Sequence, residues 1–485
     1  MKADTSTFNK LLRPLGIPIL GEGVMMLACL IPALHYNDGT ALQILPAGLF
    51  TLMLGIYILA FVPKGQQLDR KMSYLFVTLL WLVMGLFGTL PFLVTGSITH
   101  FANAFFESMS GFTSTGATIF AYIEVLPPSI LLWRSLSQWV GGFGIMLLVL
   151  AVVPSLGINK YSLYTAEASS ADNTGKETYS MTQTVRRTLS IYLTLTFAFV
   201  FWLYADGMSI WEAVNLTFTN ISSGGFSIHS DGLASVTHSQ QYILALAMLF
   251  SGINFTLIYH FFTFRFGKIR HKLDQFGFYI TLCAVSIAAV AVMLRFSMGY
   301  AWNDSIRYST VQTLSVITTT GSLVADTSQW WMPITFLFVA LSLCGGMAGS
   351  TTGGLKAMRV IILLRNVRNM LINRLHPHAV NPVRLNGKPV SAQMSTNVMV
   401  IFFVFLFTIG VGCAILMLCG INATESLGAV VACISGYGPG LGSSAGFGNY
   451  AGFTVGAKWV LSILMLMGRL ECITVYILFV GRYRR

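Results

Sequence analysis

Charge is what this chain has least of. Only 9% of its 485 residues are Asp, Glu, Lys or Arg, while 55% are hydrophobic and the mean hydropathy is +0.71. That balance excludes a water-soluble domain with one core and identifies a polytopic membrane protein. The seven cysteines (Cys29, Cys283, Cys344, Cys413, Cys419, Cys433 and Cys472) all lie in apolar segments without metal-ligand spacing. They read as small buried residues, and no transition-metal site is expected. No Walker or dinucleotide fingerprint is present, and the glycine-rich run 141–144 sits inside an apolar helix, the wrong context for cradling phosphate. The eight histidines are scattered, and no catalytic cluster of His, Asp, Cys or Ser–Lys stands at matching depth. An intramembrane enzyme is therefore not expected. Lys2, Lys10 and Arg13 precede an apolar stretch that runs on without a small-residue cleavage site, so no cleavable signal peptide is expected.

What charge there is sits on one side. Two leading spans are expected near 15–35 and 42–63, within a segment 1–73. Four units follow, at 74–160, 187–272, 273–366 and 395–485. Their long helices fall near 74–96 and 128–153, 187–205 and 240–266, 274–297 and 329–365, and 396–420 and 455–481. Spans of about 20 apolar residues suit a hydrocarbon layer roughly 30 Å thick. With a cytoplasmic N-terminus, 23 of the 29 basic residues face inside, among them Lys160, Lys176, Arg186, Arg187, Arg265, Lys268, Arg270, Lys272, Arg359, Arg482, Arg484 and Arg485. This positive-inside bias makes both termini cytoplasmic. The net charge of +12 is thus topology and lipid contact, not a nucleic-acid footprint. The loop 365–394 holds Arg365, Arg368, Arg374, Arg384 and Lys388, more than topology needs. It reads, with the loop 156–186, as a docking surface for a partner. On the other face stand Asp38, Glu124, Asp206, Asp231, Asp304 and Asp326, either raising the cation concentration at a mouth or merely solvated.

Four polar approaches each end on a glycine: Thr113-Ser114-Thr115-Gly116, Ser222-Ser223-Gly224-Gly225, Thr318-Thr319-Thr320-Gly321 and Ser435-Gly436-Tyr437-Gly438. The glycines are 109, 96 and 117 residues apart, each between two long apolar segments. Before them run Phe101–Phe112, Ile210–Ile221, Ile306–Ile317 and Ala423–Ile434, too short to span and suited to half-helices re-entering from outside. Such a half-helix points its partly negative end at the membrane centre, which favours a cation there. Irregular backbone at that depth is tolerated where protein buries it or it lines water. Four pore loops around one ion path satisfy the condition, with backbone carbonyls replacing the ion's water. Glycine allows the conformations required.

The second helix of each unit carries a glycine at a similar offset: Gly142, Gly252, Gly346 and Gly468 lie 26, 27, 25 and 30 residues past their loop glycines. Small residues there permit close helix packing. In the third unit the helix is interrupted by Cys344–Gly354, with five glycines in eleven residues. At about 1 kcal/mol each, these preclude a stable helix. Gly345, Gly346, Gly349, Ser350, Thr351, Thr352, Gly353 and Gly354 read as a gate below the loops, or else as a packed kink. Lys356 and Arg469 are costly charges in this zone and mark function by default. Arg469 does not face Glu471 two residues on, so its partner is expected to be a carbonyl of the glycine-rich segment, a pore-loop group or an acid elsewhere. Arg134 and Lys458, near outer helix ends, are expected to snorkel. Glu22, Glu107 and Glu471 are the acids that could serve proton coupling, and the sequence leaves channel-like and coupled transport both open.

The runs Phe105–Ser108 leading to Thr115–Thr118, Gly224–Ser227, Gly438–Gly442, Gly349–Lys356 and Gly468–Glu471 resemble the Trk/Ktr superfamily of potassium transporters. The likeness covers essentially the whole chain and is strongest to the bacterial TrkH/TrkG membrane subunits, whose two extra N-terminal helices the first 63 residues resemble. The resemblance implies an all-α polytopic membrane protein of four helix–pore loop–helix units in pseudo-four-fold arrangement. It implies a filter of Ser114, Thr115, Gly116, Ser223, Gly224, Gly225, Thr319, Thr320, Gly321, Gly436, Tyr437 and Gly438. It further implies K+ as the transported ion with no bound cofactor, an intramembrane gate in the third unit and a homodimer in the bacterial cytoplasmic membrane. A TrkA-type nucleotide-binding regulatory subunit is the implied cytoplasmic partner. Ser322 after the third glycine, and Tyr437 and Pro439 around the fourth, depart from uniformity, which rules out a strict tetrameric ring.

Overall fold

The computed structural model describes residues 5–63, 70–156, 181–264, 273–377 and 381–479. The basic residues Lys2, Lys64, Lys160, Lys176, Arg265, Lys268, Arg270, Lys272, Arg482, Arg484 and Arg485, and most of the loop 156–186, lie outside these. The regular structure of the described residues is helical apart from an antiparallel hairpin of two two-residue strands, β1 (Arg384–Leu385) and β2 (Lys388–Pro389). Six of its helices are long and apolar enough to cross a membrane, or up to eight if two sharply bent pairs each count as one span.

The N-terminal pair is α1 (Thr5–Ala28), continued by α2 (Leu30–His35), and α3 (Ala41–Phe61). Gly23 and Gly55 let α1 and α3 meet backbone to backbone, since a Cβ on either would lie 2.5 or 2.6 Å from the facing main chain. Unit one comprises α4 (Arg70–Phe87), α5 (Leu90–Val94), α6 (Phe101–Phe112) and α7 (Pro128–Leu156). Unit two holds α8 (Met181–Ala205), α9 (Ile210–Ile221), α10 (His238–Ser251) and α11 (Phe255–Phe262). Unit three holds α12 (Leu273–Ser297), α13 (Trp302–Ile317), α14 (Met332–Cys344) and α15 (Ala357–Leu375). Unit four holds α16 (Ala392–Leu418), α17 (Ala423–Ser435), α18 (Val455–Arg469) and α19 (Ile473–Phe479).

Two of the four short helices, α9 and α17, start at a side-chain cap. Ser209 accepts from the Glu212 N–H ahead of α9, and Asn422 from the Glu425 N–H ahead of α17. All four are buried over most of their length, in keeping with a central position.

Two expected long helices are corrected. The segment 240–266 is broken at Gly252-Ile253-Asn254, where α10 and α11 meet at 105°. There Asn254 caps α11 by accepting from the Leu257 N–H at 3.2 Å. The segment 455–481 is broken after Arg469, where α18 and α19 meet at 108°. That bend is made by Glu471 (φ 62°) and Cys472 (φ 47°), neither a glycine. The interruption of the third unit is therefore the longest of three, not an exception.

Candidate functional site

The four short helices deliver four segments of one design. In each, the N–H of the residue before the final glycine donates to a carbonyl five residues back: Thr115 to Ser110 (2.9 Å), Gly224 to Thr219 (2.8 Å), Thr320 to Ser315 (2.8 Å) and Tyr437 to Ala432 (2.9 Å). Two positions per segment take positive φ. The first is Ser114 (54°), Ser223 (55°), Thr319 (52°) and Gly436 (75°); the second is Gly116 (83°), Gly225 (75°), Gly321 (81°) and Gly438 (89°). Left-handed backbone costs a side-chain-bearing residue on the order of 1–3 kcal/mol, so three of these segments hold strain that their burial must sustain. Ser114, Thr115, Ser223, Thr319 and Thr320 are almost wholly buried.

The segments also meet in a closed order. A Cβ on Gly116 would run into the Gly224 carbonyl, on Gly225 into Thr320, on Gly321 into Tyr437 and on Gly438 into Thr115, at no more than 2.5 Å. Each final glycine thus abuts the carbonyl preceding the next one, and the fourth returns to the first. All four glycines line one narrow cleft of about 70 Å³. Asp38, Glu124, Asp206, Asp231, Asp304 and Asp326 are not among the residues lining it; Arg134 and His229 are. Two of these acids are hydrogen-bonded: Glu124 accepts from the Ser230 N–H at 2.6 Å and Asp206 from the Ser239 hydroxyl at 2.6 Å. Burial pushes the Asp38 carboxyl up, but hydrogen bonds from Thr40 and Ser129 outweigh it and hold the group below its usual range.

On the far side of this ring lies the loop 345–356 between α14 and α15, with Gly345, Gly349, Gly354 and Lys356 at positive φ. Units two, three and four hold it directly. From unit two, the Gly252 carbonyl accepts from Met347 N–H (2.9 Å), and the Thr351 hydroxyl bonds to the Ile221 and Ser251 carbonyls (3.2 and 3.3 Å). Asn254 also donates to the Ala348 carbonyl. In unit three, the Gly353 N–H donates to the Thr319 hydroxyl at 2.7 Å, tying the loop to a segment of the ring. Against unit four, a Cβ on Gly353 would collide with the Ser435 carbonyl. Lys356 reaches the Thr352 carbonyl. Arg469, at the end of α18, donates to the Thr351 carbonyl (2.9 Å) and to the Gly141 and Gly142 carbonyls of α7 (2.7 and 3.1 Å). Its partners include a carbonyl of the glycine-rich segment, and it bridges units one, three and four. Glu471 pairs instead with Arg359 of α15 at 2.5 Å.

Of the glycines at matching offsets, Gly346 lies against the Gly252 main chain, so units two and three approach closely there as expected, while the other two pack differently. Gly142 lies against Ser222, and a Cβ on Gly468 would strike the Ile434 carbonyl, so both face the ends of the short helices. Arg134 and Lys458 are corrected outright. Both are buried rather than snorkelling, because each finds polar partners inside: Arg134 pairs with Glu107 at 3.0 Å, and Lys458 donates to the Asn103 side chain (2.9 Å) and the Ala451 carbonyl (2.8 Å). Sequence reasoning missed Gln138, which donates to the Gly224 carbonyl at 2.8 Å and accepts from the Phe226 N–H at 3.0 Å. A glutamine inside an apolar helix was the available signal. On the loop 365–394, Arg365 is engaged by Asp274 at 2.8 Å, while Arg368, Arg374 and Arg384 are exposed. The Lys388 side chain lies outside the described ones.

Comparison with known proteins points the same way. The family described as TrkH, cation transport protein, matches residues 43–483. The Trk system potassium uptake protein TrkH of Halomonas elongata is 31% identical over 496 aligned residues, covering 99% of this chain and 100% of that protein. The protein of the same name from Escherichia coli K12 is 31% identical, covering 99% of both chains. The crystal structure of the potassium transporter TrkH from Vibrio parahaemolyticus superposes with a TM-score of 0.87 at 29% identity, over 99% of this chain and 100% of that one.

Proposed function

The chain belongs to the TrkH family of cation transport proteins, a transporter and not an enzyme, and from that premise we propose that it is the potassium-conducting subunit of a Trk-type uptake system. The observation that carries the reading is the closed order in which the four glycine segments abut one another's carbonyls around one cleft. The carbonyls of Thr115, Gly224, Thr320 and Tyr437, with those of the neighbouring filter residues, then stand in for the water of a dehydrated K+. The four short helices aim their negative ends at the same place. Pseudo-four-fold units at 74–160, 187–272, 273–366 and 395–485 follow from this reading, with 1–73 as an added pair.

Gly345–Lys356 and Arg469 act as the gate. The loop lies directly beneath the Thr319 segment, and Arg469 sets a fixed positive charge there. Both termini are cytoplasmic in this account, the protein is a homodimer, and a TrkA-type subunit docks on the basic face around α15. Neutralising Arg368, Arg374 and Arg384 together should cut capture of that subunit at least fivefold, and undiminished capture excludes the docking face. Uptake of 86Rb+ by liposomes holding the purified chain tests the function itself. An uptake competed by K+ but not by equal Na+ is expected, and no uptake by folded protein counts against the reading.

A further inference from the structure

We propose that Arg134 and Gln138 of α7 form a clamp that positions the second filter segment against the first, and so sets ion preference. The inference rests on the filter reading above. Four residues apart, the two side chains share one face of α7. Although α7 belongs to unit one, both reach into unit two. Gln138 brackets Phe226 and Gly224, accepting from the N–H of one (3.0 Å) and donating to the carbonyl of the other (2.8 Å). Arg134 donates to the Ser227 carbonyl at 2.9 Å and stacks over the Phe226 ring, 4.1 Å from its centroid. Together they fix every residue from Gly224 to Ser227 except the glycine that must turn.

The other end of the clamp is in unit one. Arg134 is only 1% exposed and holds Glu107, which is fully buried, through its Nε at 3.0 Å. Glu107 accepts in turn from the Thr118 hydroxyl (2.9 Å) and the Ile119 N–H (2.9 Å), just beyond Gly116. The network continues to unit four. The Thr118 carbonyl accepts from the Tyr450 N–H at 2.8 Å, and the Tyr450 hydroxyl donates to the Gly438 carbonyl at 2.7 Å. One hydrogen-bonded frame therefore spans three of the four segments, centred on a guanidinium whose planar fork can serve several acceptors at once.

A carbonyl ring discriminates between ions by the number and placement of its oxygens. The Gly224 carbonyl is the one that faces Gly116, and Gln138 is what orients it. Neither Arg134 nor Gln138 needs to touch the ion; each acts through the backbone it holds, as a positioning residue.

The test compares uptake of K+ and Na+ by proteoliposomes containing Gln138→Met, Arg134→Lys, Gly225→Ser and, as a control, Ile44→Ala. Methionine keeps the volume of Gln138 and removes both bonds; lysine keeps the charge beside Glu107 but cannot also span to Ser227. Ile44, fully buried in α3, reports a destabilisation unrelated to the filter. Thermal unfolding of each purified variant shows that it is folded. The K+/Na+ ratio is expected to fall at least fivefold in Gln138→Met and at least threefold in Arg134→Lys, and to stay at the wild-type value in Ile44→Ala despite a lower melting temperature. Ratios within twofold of wild type in both clamp variants, with Gly225→Ser altered, overturn the clamp and leave the filter standing. No change in any of the three overturns both.

Discussion

The two faces of the central region differ in repetition: one repeats a pattern four times, the other occurs once. The glycine-ended segments repeat one backbone pattern four times, each braced by its neighbour's main chain. The loop 345–356 occurs once and is held by main-chain bonds to Gly252 and Phe255 and by the side chains of Asn254, Thr319 and Arg469 from units two, three and four. Repetition of backbone suits a site that must present the same oxygens at all times. A single segment held by a handful of individually weak bonds, each worth about 0.5–1.5 kcal/mol net, suits a part that must let go.

The comparison breaks first at the glycines. Gly116, Gly225, Gly321 and Gly438 combine positive φ with a carbonyl where a Cβ would stand. Replacement of each by serine is expected to lower the K+ over Na+ preference tenfold or more. Gly438, with the most room at 2.5 Å, should be the mildest of the four. Wild-type uptake and preference in all four variants would remove the filter.

A smaller effect of opposite sign is expected on the other face. Arg469→Ala, or deletion within 347–353, should raise flux severalfold in liposomes lacking any regulatory subunit, with ion preference largely kept. Flux unchanged or lowered in both, with folded protein, reduces the loop to a structural kink.

The smallest effect lies outside both regions. Asp38 ties the turn before α3 to the start of α7 through Thr40 and Ser129. Its lowered pKa contributes stability that is present above the unfolded value and lost as pH falls through the folded one. Because the group is partly exposed and screened, Asp38→Asn should cost no more than about 1 kcal/mol. The difference from wild type in thermal unfolding should be present at neutral pH and shrink toward pH 3.

Local patterns were legible in the sequence to different depths. Phe101–Phe112 and Ile210–Ile221 are helices with the bounds their apolar length and flanking polar residues suggest, and the other two differ only at one end each. The bend at Glu471 and Cys472 was not legible, because the nearest glycine, Gly468, is still inside α18, the two residues that turn are neither glycine nor proline, and tertiary packing imposes the backbone. The break at Asn254 could have been read from an asparagine placed to cap a helix. Arg134 and Lys458 were misplaced because position along a helix says how near its end a residue lies, not whether Glu107 or Asn103 waits inside. The hydrogen bonds of Gln138 to unit two depend on a contact 86 residues away, which periodicity does not encode.

The most direct measurement is the anomalous scattering of crystals grown in rubidium. The account predicts Rb+ peaks on the line enclosed by the Thr115, Gly224, Thr320 and Tyr437 carbonyls, and their loss or displacement in Gly225→Ser. Rubidium bound elsewhere in the protein, with that position unoccupied, would contradict it.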